Sequence, residues 1–163
     1  MQPSFELVVC IASSALFDCR ETNEIWKREG PESYKKHQHE HINVPLKPGV
    51  GFPLTHALLQ LNKVVDKPLV DVVLVSRNDT ESAERIIQSI NYYGLPITRM
   101  SFTSSTNVIK YLPAWKCDLF LSTGEEQVRK LLETATPGLF EGVAARLIYN
   151  ALPELMPVQA NSM

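Results

Sequence analysis

The chain has no apolar run approaching the ~18 residues a membrane-spanning helix needs, and its opening MQPSFE has no basic region followed by a long apolar stretch. Neither a membrane association nor secretion by that route is expected. It also has little net charge: 16 Lys and Arg stand against 18 Asp and Glu, giving −2 at pH 7, and the cations are scattered. Without a basic field to attract phosphates, nucleic acid is not an expected partner. Cysteine is scarce. Cys10, Cys19 and Cys117 are an odd number with no metal-ligand spacing, as expected of reduced, partly buried thiols in a cytoplasm. What is present is a chain of 163 residues, 44% apolar and 21% charged, with no internal repeat, enough to bury one core; residues 1–163 are read as a single domain.

Short apolar runs alternate with amphipathic stretches. FELVVCIA, VDVVLVS, LPITRMSF and CDLFLS are apolar on both faces, as buried parallel strands are, and the segments between them have helical periodicity. Strand–helix–strand alternation implies right-handed crossovers, so the expected class is α/β, a doubly wound and mainly parallel sheet. After Ser76, residues Ala83, Ile86, Ile87, Ile90 and Tyr93 share one helical face, Asp79 or Thr80 can cap its start, and Gly94 suits a left-handed stop. A further helix follows the strand around Leu119, with Ser122 or Thr123 as cap and Val128, Leu131 and Leu132 as its buried stripe.

Residues from about 20 to 53 are polar or rich in Pro and Gly, and Gly30-Pro31 breaks them into two short helices. NVPLKPGVGFP is expected to be a loop leading to a helix around Thr55 to Leu61. In the tail, Phe140, Val143, Leu147 and Ile148 repeat at helical spacing and predict a C-terminal helix over about 138–152.

The stretch Leu7–Asp18, LVVCIASSALFD, resembles the phosphatase motif of the haloacid-dehalogenase class, in which the first strand ends in Asp-x-Asp; here Ala12-Ser13-Ser14 stands in that place. Together with ESYKKHQHEHINVPLKPGVGFPL, VDVVLVSRND, SINYYGLPITR and LFLSTGEEQVRKLLE, it resembles the cytosolic 5′-nucleotidase type I family, in order and spacing from about Leu7 to Glu133. The likeness is to the N-terminal of that family's two halves, whereas the Asp-x-Asp nucleophile belongs to the other. It implies a haloacid-dehalogenase-like fold with a small helical cap insertion over about 20–53. It also implies ancestry in nucleoside-monophosphate hydrolysis. A surface left by the missing half would be covered by the tail, a second copy in a homo-oligomer, or another protein subunit.

A phosphotransferase of that class needs an acidic pair, a hydroxyl after the second strand, a cation and further carboxylates for magnesium. A methyl group at Ala12 can neither attack phosphorus nor hold a metal. Ser13 and Ser14 can still donate to an anion, or can be small residues that permit close packing. Ser76, with Arg77 and Asn78, precedes a helix N-terminus that would favour a phosphate; the competing account is turn chemistry with Arg77 solvated. Lys110 is the cation in the region corresponding to the third element and can equally be a surface lysine. Lys47, in PLKPG, faces the cleft if the cap analogy holds, and is otherwise exposed. Glu125 and Glu126 are the acids after the last strand; they can ligate magnesium, or simply favour the positive end of a helix. Asp18 lies six positions beyond Ala12, too far along to substitute as nucleophile. His37 and His41 share a helical face and His39 points elsewhere, the pattern of solvated histidines rather than a zinc site.

Three functions follow. The first is a 5′-nucleotidase-family protein that binds a nucleotide or phosphate at the strand ends but hydrolyses it weakly or not at all. The alternatives are an active magnesium-dependent 5′-nucleotidase and a ligand-free interaction module.

Overall fold

Both faces of the central strands are apolar because both are covered. The computed structural model describes residues 4–104, 107–134 and 144–147. Within them, β1 (Leu7–Ala12), β2 (Val70–Ser76), β3 (Arg99–Phe102), β4 (Leu119–Ser122) and β5 (Ala144–Leu147) form one sheet in the order β3-β2-β1-β4-β5. Every pairing is parallel, with Cys10 beside Val73 on one flank and Phe120 on the other. One face of the sheet, through Val9, Ile11, Val72 and Leu74, packs on Leu16, Leu59, Ile86 and Ile90. These last come from α1 (Ser13–Leu16), α4 (Phe52–Leu61) and α5 (Thr80–Tyr92). The other face, through Cys10, Val73, Val75 and Phe120, is covered by a 3-10 helix (Val108–Tyr111), Leu112 and Leu131 of α6 (Glu125–Thr134). This is the expected doubly wound arrangement. From β1 the chain builds outward through β2 and β3, then returns to lay β4 on the opposite flank, so the crevice at the carboxyl ends of β1 and β4 is a topological switch point, where ligands bind in folds of this kind.

The polar segment after β1 folds as the expected pair of helices, α2 (Arg20–Glu29) and α3 (Pro31–Glu40), which turn about Gly30 at φ 88°. Trp26 meets Tyr34 edge to face at 5.4 Å between them. The loop that follows is seated rather than loose. Gly49 N–H donates to the Leu16 carbonyl and Gly51 N–H to that of Ala15, each at 2.8 Å, while the Leu46 carbonyl accepts from Tyr93 Oη at 2.9 Å. A Cβ on Gly49 would come within 2.6 Å of the Ala15 oxygen and 2.8 Å of the Phe17 carbonyl carbon, which explains glycine there. Helix α4 starts at Phe52, earlier than Thr55, because Pro53 falls in the first turn, where its missing N–H costs nothing.

At α5 it is Asp79 that caps, accepting from Ser82 N–H at 2.9 Å and from Ser82 Oγ at 2.5 Å. Those bonds hold its carboxyl below the ordinary 3.8. A carboxyl depressed by folding stabilises above its unfolded pKa, and the contribution is lost as pH falls through the folded value. Asp79→Ala is therefore expected to cost about 1 kcal/mol near neutral pH. Urea unfolding of variant and parent should show that difference shrinking as pH falls below the ordinary 3.8.

Two expectations are corrected. Leu132 is 61% exposed, so the buried stripe of α6 is Val128 and Leu131 alone. The tail helix predicted over about 138–152 does not extend through 144–147, which form strand β5 beside β4. An extended segment there satisfies backbone groups along the β4 edge, and that demand outweighs a helical spacing of apolar residues. The rest of that predicted helix lies outside the described residues.

Candidate functional site

At the switch point, the ends of β1, β2 and β4 open into a cavity of about 430 Å³. Ala12, Ser13 and Ser14 form its floor, Ser76, Arg77 and Asn78 one wall, and Thr123 to Gln127 the opposite wall. The sheet thus brings Ala12-Ser13-Ser14 and the Ser76 cluster together. Ser13 Oγ lies 3.1 Å from Ser76 Oγ, with both residues buried. Ser76 Oγ also donates to Asn78 Oδ1 at 3.1 Å and accepts from Asn78 N–H at 3.2 Å. With its proton given to Asn78, Ser76 accepts from Ser13. Across the floor, Thr123 Oγ1 donates to Ser14 Oγ at 2.9 Å. Ser122, instead of capping α6, takes the Gly124 N–H at 3.0 Å and donates to Gln127 Oε1 at 2.9 Å.

The cap supplies the roof. Asn78 Nδ2 donates to Tyr34 Oη at 2.7 Å, and Gln38 Nε2 donates to the same oxygen at 3.3 Å. Burial pushes the Tyr34 phenol above its ordinary pKa. Tyr34 and Asn23 complete the cleft, together with Arg20 and Cys19. These four were not among the site residues read from the sequence. The available signal was the i, i+4 pairing of Tyr34 with Gln38, which places a hydroxyl and an amide on one face of α3. Burial pushes the Cys19 thiol up to about 12, so it is protonated at neutral pH and is no ready nucleophile.

A second cavity, of about 370 Å³, adjoins the first and shares Asn23, Tyr34, Arg77 and Asn78 with it. Trp26, 46% exposed, forms part of its wall beside Tyr34. Arg77 is exposed at the junction of the two.

Other predicted residues lie elsewhere. Lys47 is exposed and lines a separate cavity behind the cap helices, not the strand-end cleft. Lys110 is exposed on the 3-10 helix, its Nζ 5.1 Å from the centre of the Tyr111 ring. Asp18 faces away from the cleft and binds Arg20 with both oxygens, at 2.9 and 2.6 Å. His37 and His41 stack at 4.1 Å with His39 exposed, the shared face predicted for them. The N-terminus of α5 is filled by the Asp79 carboxylate, which also pairs with Lys35 at 3.3 Å; a phosphate there would meet a like charge.

Magnesium requires oxygen ligands, chiefly carboxylates. Among the described residues that line the cleft, the acids are Glu125 and Glu126. Both are exposed and each is held by a base one turn on, Glu125 by Arg129 at 2.5 Å and Glu126 by Lys130 at 2.7 Å. The Lys130 bond keeps the Glu126 carboxyl below its ordinary pKa. No group of three His, Cys, Asp or Glu able to hold a metal occurs among the described residues. The donor set at the end of β1 is hydroxyls and a methyl, and it does not fit a magnesium ion.

Comparison with known proteins bears on the family and the fold. The chain is 28% identical to human cytosolic 5′-nucleotidase 1B (Homo sapiens) over 160 residues, which cover 94% of the chain and 25% of that protein. It therefore spans about a quarter of the length of that relative. Among solved structures it is similar to an inactive mutant of the HAD domain of the effector protein Lem4 from Legionella pneumophila, with a TM-score of 0.51 at 11% identity over 91% of this chain and 88% of that one. That likeness shows the haloacid-dehalogenase-like fold. No helix of the described residues is long and apolar enough to cross a membrane. The 5′-nucleotidase family model matches residues 1–151, and the chain belongs to the 5′-nucleotidase family.

Proposed function

We propose that the chain binds a nucleoside monophosphate at the strand ends and hydrolyses it weakly or not at all. The observation that carries this is the make-up of the cleft: hydroxyls from Ser13, Ser14, Ser76 and Thr123, the Arg77 guanidinium, and a methyl group at Ala12 where the class places its nucleophile. Hydroxyls and a guanidinium suit a phosphate dianion, and the adjoining cavity offers Trp26 as a flat apolar surface for a base, with Asn23 and Asn78 as amide partners. The phosphate sits over Ser14 and Arg77 rather than on the α5 N-terminus, which Asp79 occupies. On binding, its oxygens replace Asn78 Oδ1 as acceptor of the Ser76 proton.

Calorimetric titration with a nucleoside monophosphate tests this. Arg77→Ala and Ser76→Ala should each weaken binding by about 1–3 kcal/mol. Arg77 is the cleaner probe because Ser76 also holds the Asn78 turn. Unchanged affinity in both, with unfolding midpoints equal to the parent's, would remove the ligand from this cleft.

A further inference from the structure

A buried cation without a carboxylate partner marks a site distinct from the strand-end cleft. Arg85 of α5 is 8% exposed, yet among the described residues it makes no salt bridge. Its Nε donates to the Val44 carbonyl at 2.9 Å and its Nη1 to Gln38 Oε1 at 3.0 Å, both neutral acceptors. Buried charges in proteins are ordinarily paired, because a neutral acceptor returns little of the hydration a cation loses. Here the residue lines a cavity of about 360 Å³ enclosed by α2, α3, α5 and the loop through Lys47.

Lys47 adds an ammonium, and the stacked rings of His37 and His41 form one wall. His41 Nδ1 donates to the His37 carbonyl at 2.8 Å, which leaves Nε2 as the free ring nitrogen. Two acids share the cavity. Asp18 is already neutralised by its two-point pairing with Arg20. Glu21 is exposed and acts on Arg85 through space, with no ion pair between them. Arg85 and Lys47 against Glu21 leave a net positive charge in a concave, partly dehydrated space.

We propose that this cavity binds a small polyvalent anion of the phosphate or sulfate class, held by Arg85 and Lys47. It is separate from the strand-end cleft, whose cation is Arg77, so either site can exist without the other. The hydrogen bonds from Arg85 to Gln38 and from Gln38 to Tyr34 join the two sites through α3.

Calorimetric titration of the intact chain with inorganic sulfate and with inorganic phosphate at millimolar concentration tests the proposal. Arg85→Gln should weaken binding by about tenfold or more, and Lys47→Ala by about threefold or more. Phosphate binding at the strand-end cleft is a separate event, which Arg77→Ala should remove while leaving the affinity of the event that Lys47→Ala weakens within about twofold. Lys47 is exposed and offers only its backbone carbonyl to the fold, through Asp18 N–H at 2.8 Å, so that variant stays informative even if Arg85→Gln fails to fold. Absence of saturable binding in the parent overturns the proposal. So does unchanged affinity in Lys47→Ala, or a loss confined to Arg77→Ala. Titrating a nucleoside monophosphate into Arg77→Ala separates the sources: affinity equal to that of free phosphate assigns the site to the free ion, and tighter binding that Lys47→Ala then weakens assigns it to the phosphoryl group of a larger ligand.

Discussion

Purified chain supplied with a nucleoside monophosphate and magnesium is expected to release no phosphate beyond the uncatalysed rate, even where titration shows that the nucleotide binds. Attack on phosphorus needs a nucleophilic side chain at the end of β1, or a water activated there by a base. Ala12 offers a methyl group. Ser13 is buried with its hydroxyl given to Ser76, and Ser14 takes the hydroxyl of Thr123. Cys19, the thiol in the cleft, is protonated at neutral pH. Glu125 and Glu126 are engaged with Arg129 and Lys130 at the cleft mouth. Enzymes of ordinary efficiency turn over about 1 to 10³ times per second. A phosphate-release assay that finds a rate in that range would overturn the inactive reading, and its loss in Glu125→Gln or Glu126→Gln would point to those glutamates as magnesium ligands.

Phe17→Ala is expected to destabilise the fold by about 3–5 kcal/mol, the range for a large aromatic side chain removed from a packed core. Phe17 is fully buried where the chain leaves α1; its ring packs at 6.0 Å from Tyr93 and 6.4 Å from Phe52, and its backbone bridges to Pro48. It therefore ties the first strand, the loop behind the cap and α5 into one unit. Gly49→Ala probes the same junction from the opposite side. It removes no contact, but its Cβ would collide with the backbone of Ala15 and Phe17, which cannot move without shifting α1; a loss of about 1–3 kcal/mol is expected, as for over-packing. Urea unfolding of both variants checks this. A neutral Gly49→Ala would mean that the loop is not held against α1 in solution.

Much of the scaffold is written in local pattern. Strands apolar on both faces and the stripe Ala83, Ile86 and Ile90 report burial directly, since only a covered element keeps such residues out of water. Asp79 and Gly94 announce the ends of α5 because capping and the left-handed turn depend on one or two residues. The absence of a carboxylate at Ala12 was equally plain, and so was the proximity of Ser13, Ser14 and Ser76, since residues at the carboxyl ends of adjacent parallel strands must meet.

Other features depended on partners remote in sequence. The roof of the cleft is Tyr34, whose hydroxyl meets Asn78 across 44 positions; its i, i+4 pairing with Gln38 marks a polar face of α3 but not the remote partner that face reaches. Lys47 could face the cleft or its back, and the side was decided by the bonds that seat its loop against α1 and α5. The buried, uncompensated Arg85 follows Glu84 on α5, in a polar stretch where the sequence alone would place an arginine in solvent. In the tail, the spacing of Phe140, Val143, Leu147 and Ile148 suits a helix, yet 144–147 form a strand, because the edge of β4 needs backbone partners. The sequence by itself determined the α/β class, the order of the main elements as far as α6 and the methyl group at position 12, for these depend on local hydrophobic period and single residue identities. Only the tertiary structure decided which polar groups share a cavity and which charges are left without partners, because hydrogen bonding and desolvation depend on distances between segments that no local pattern encodes.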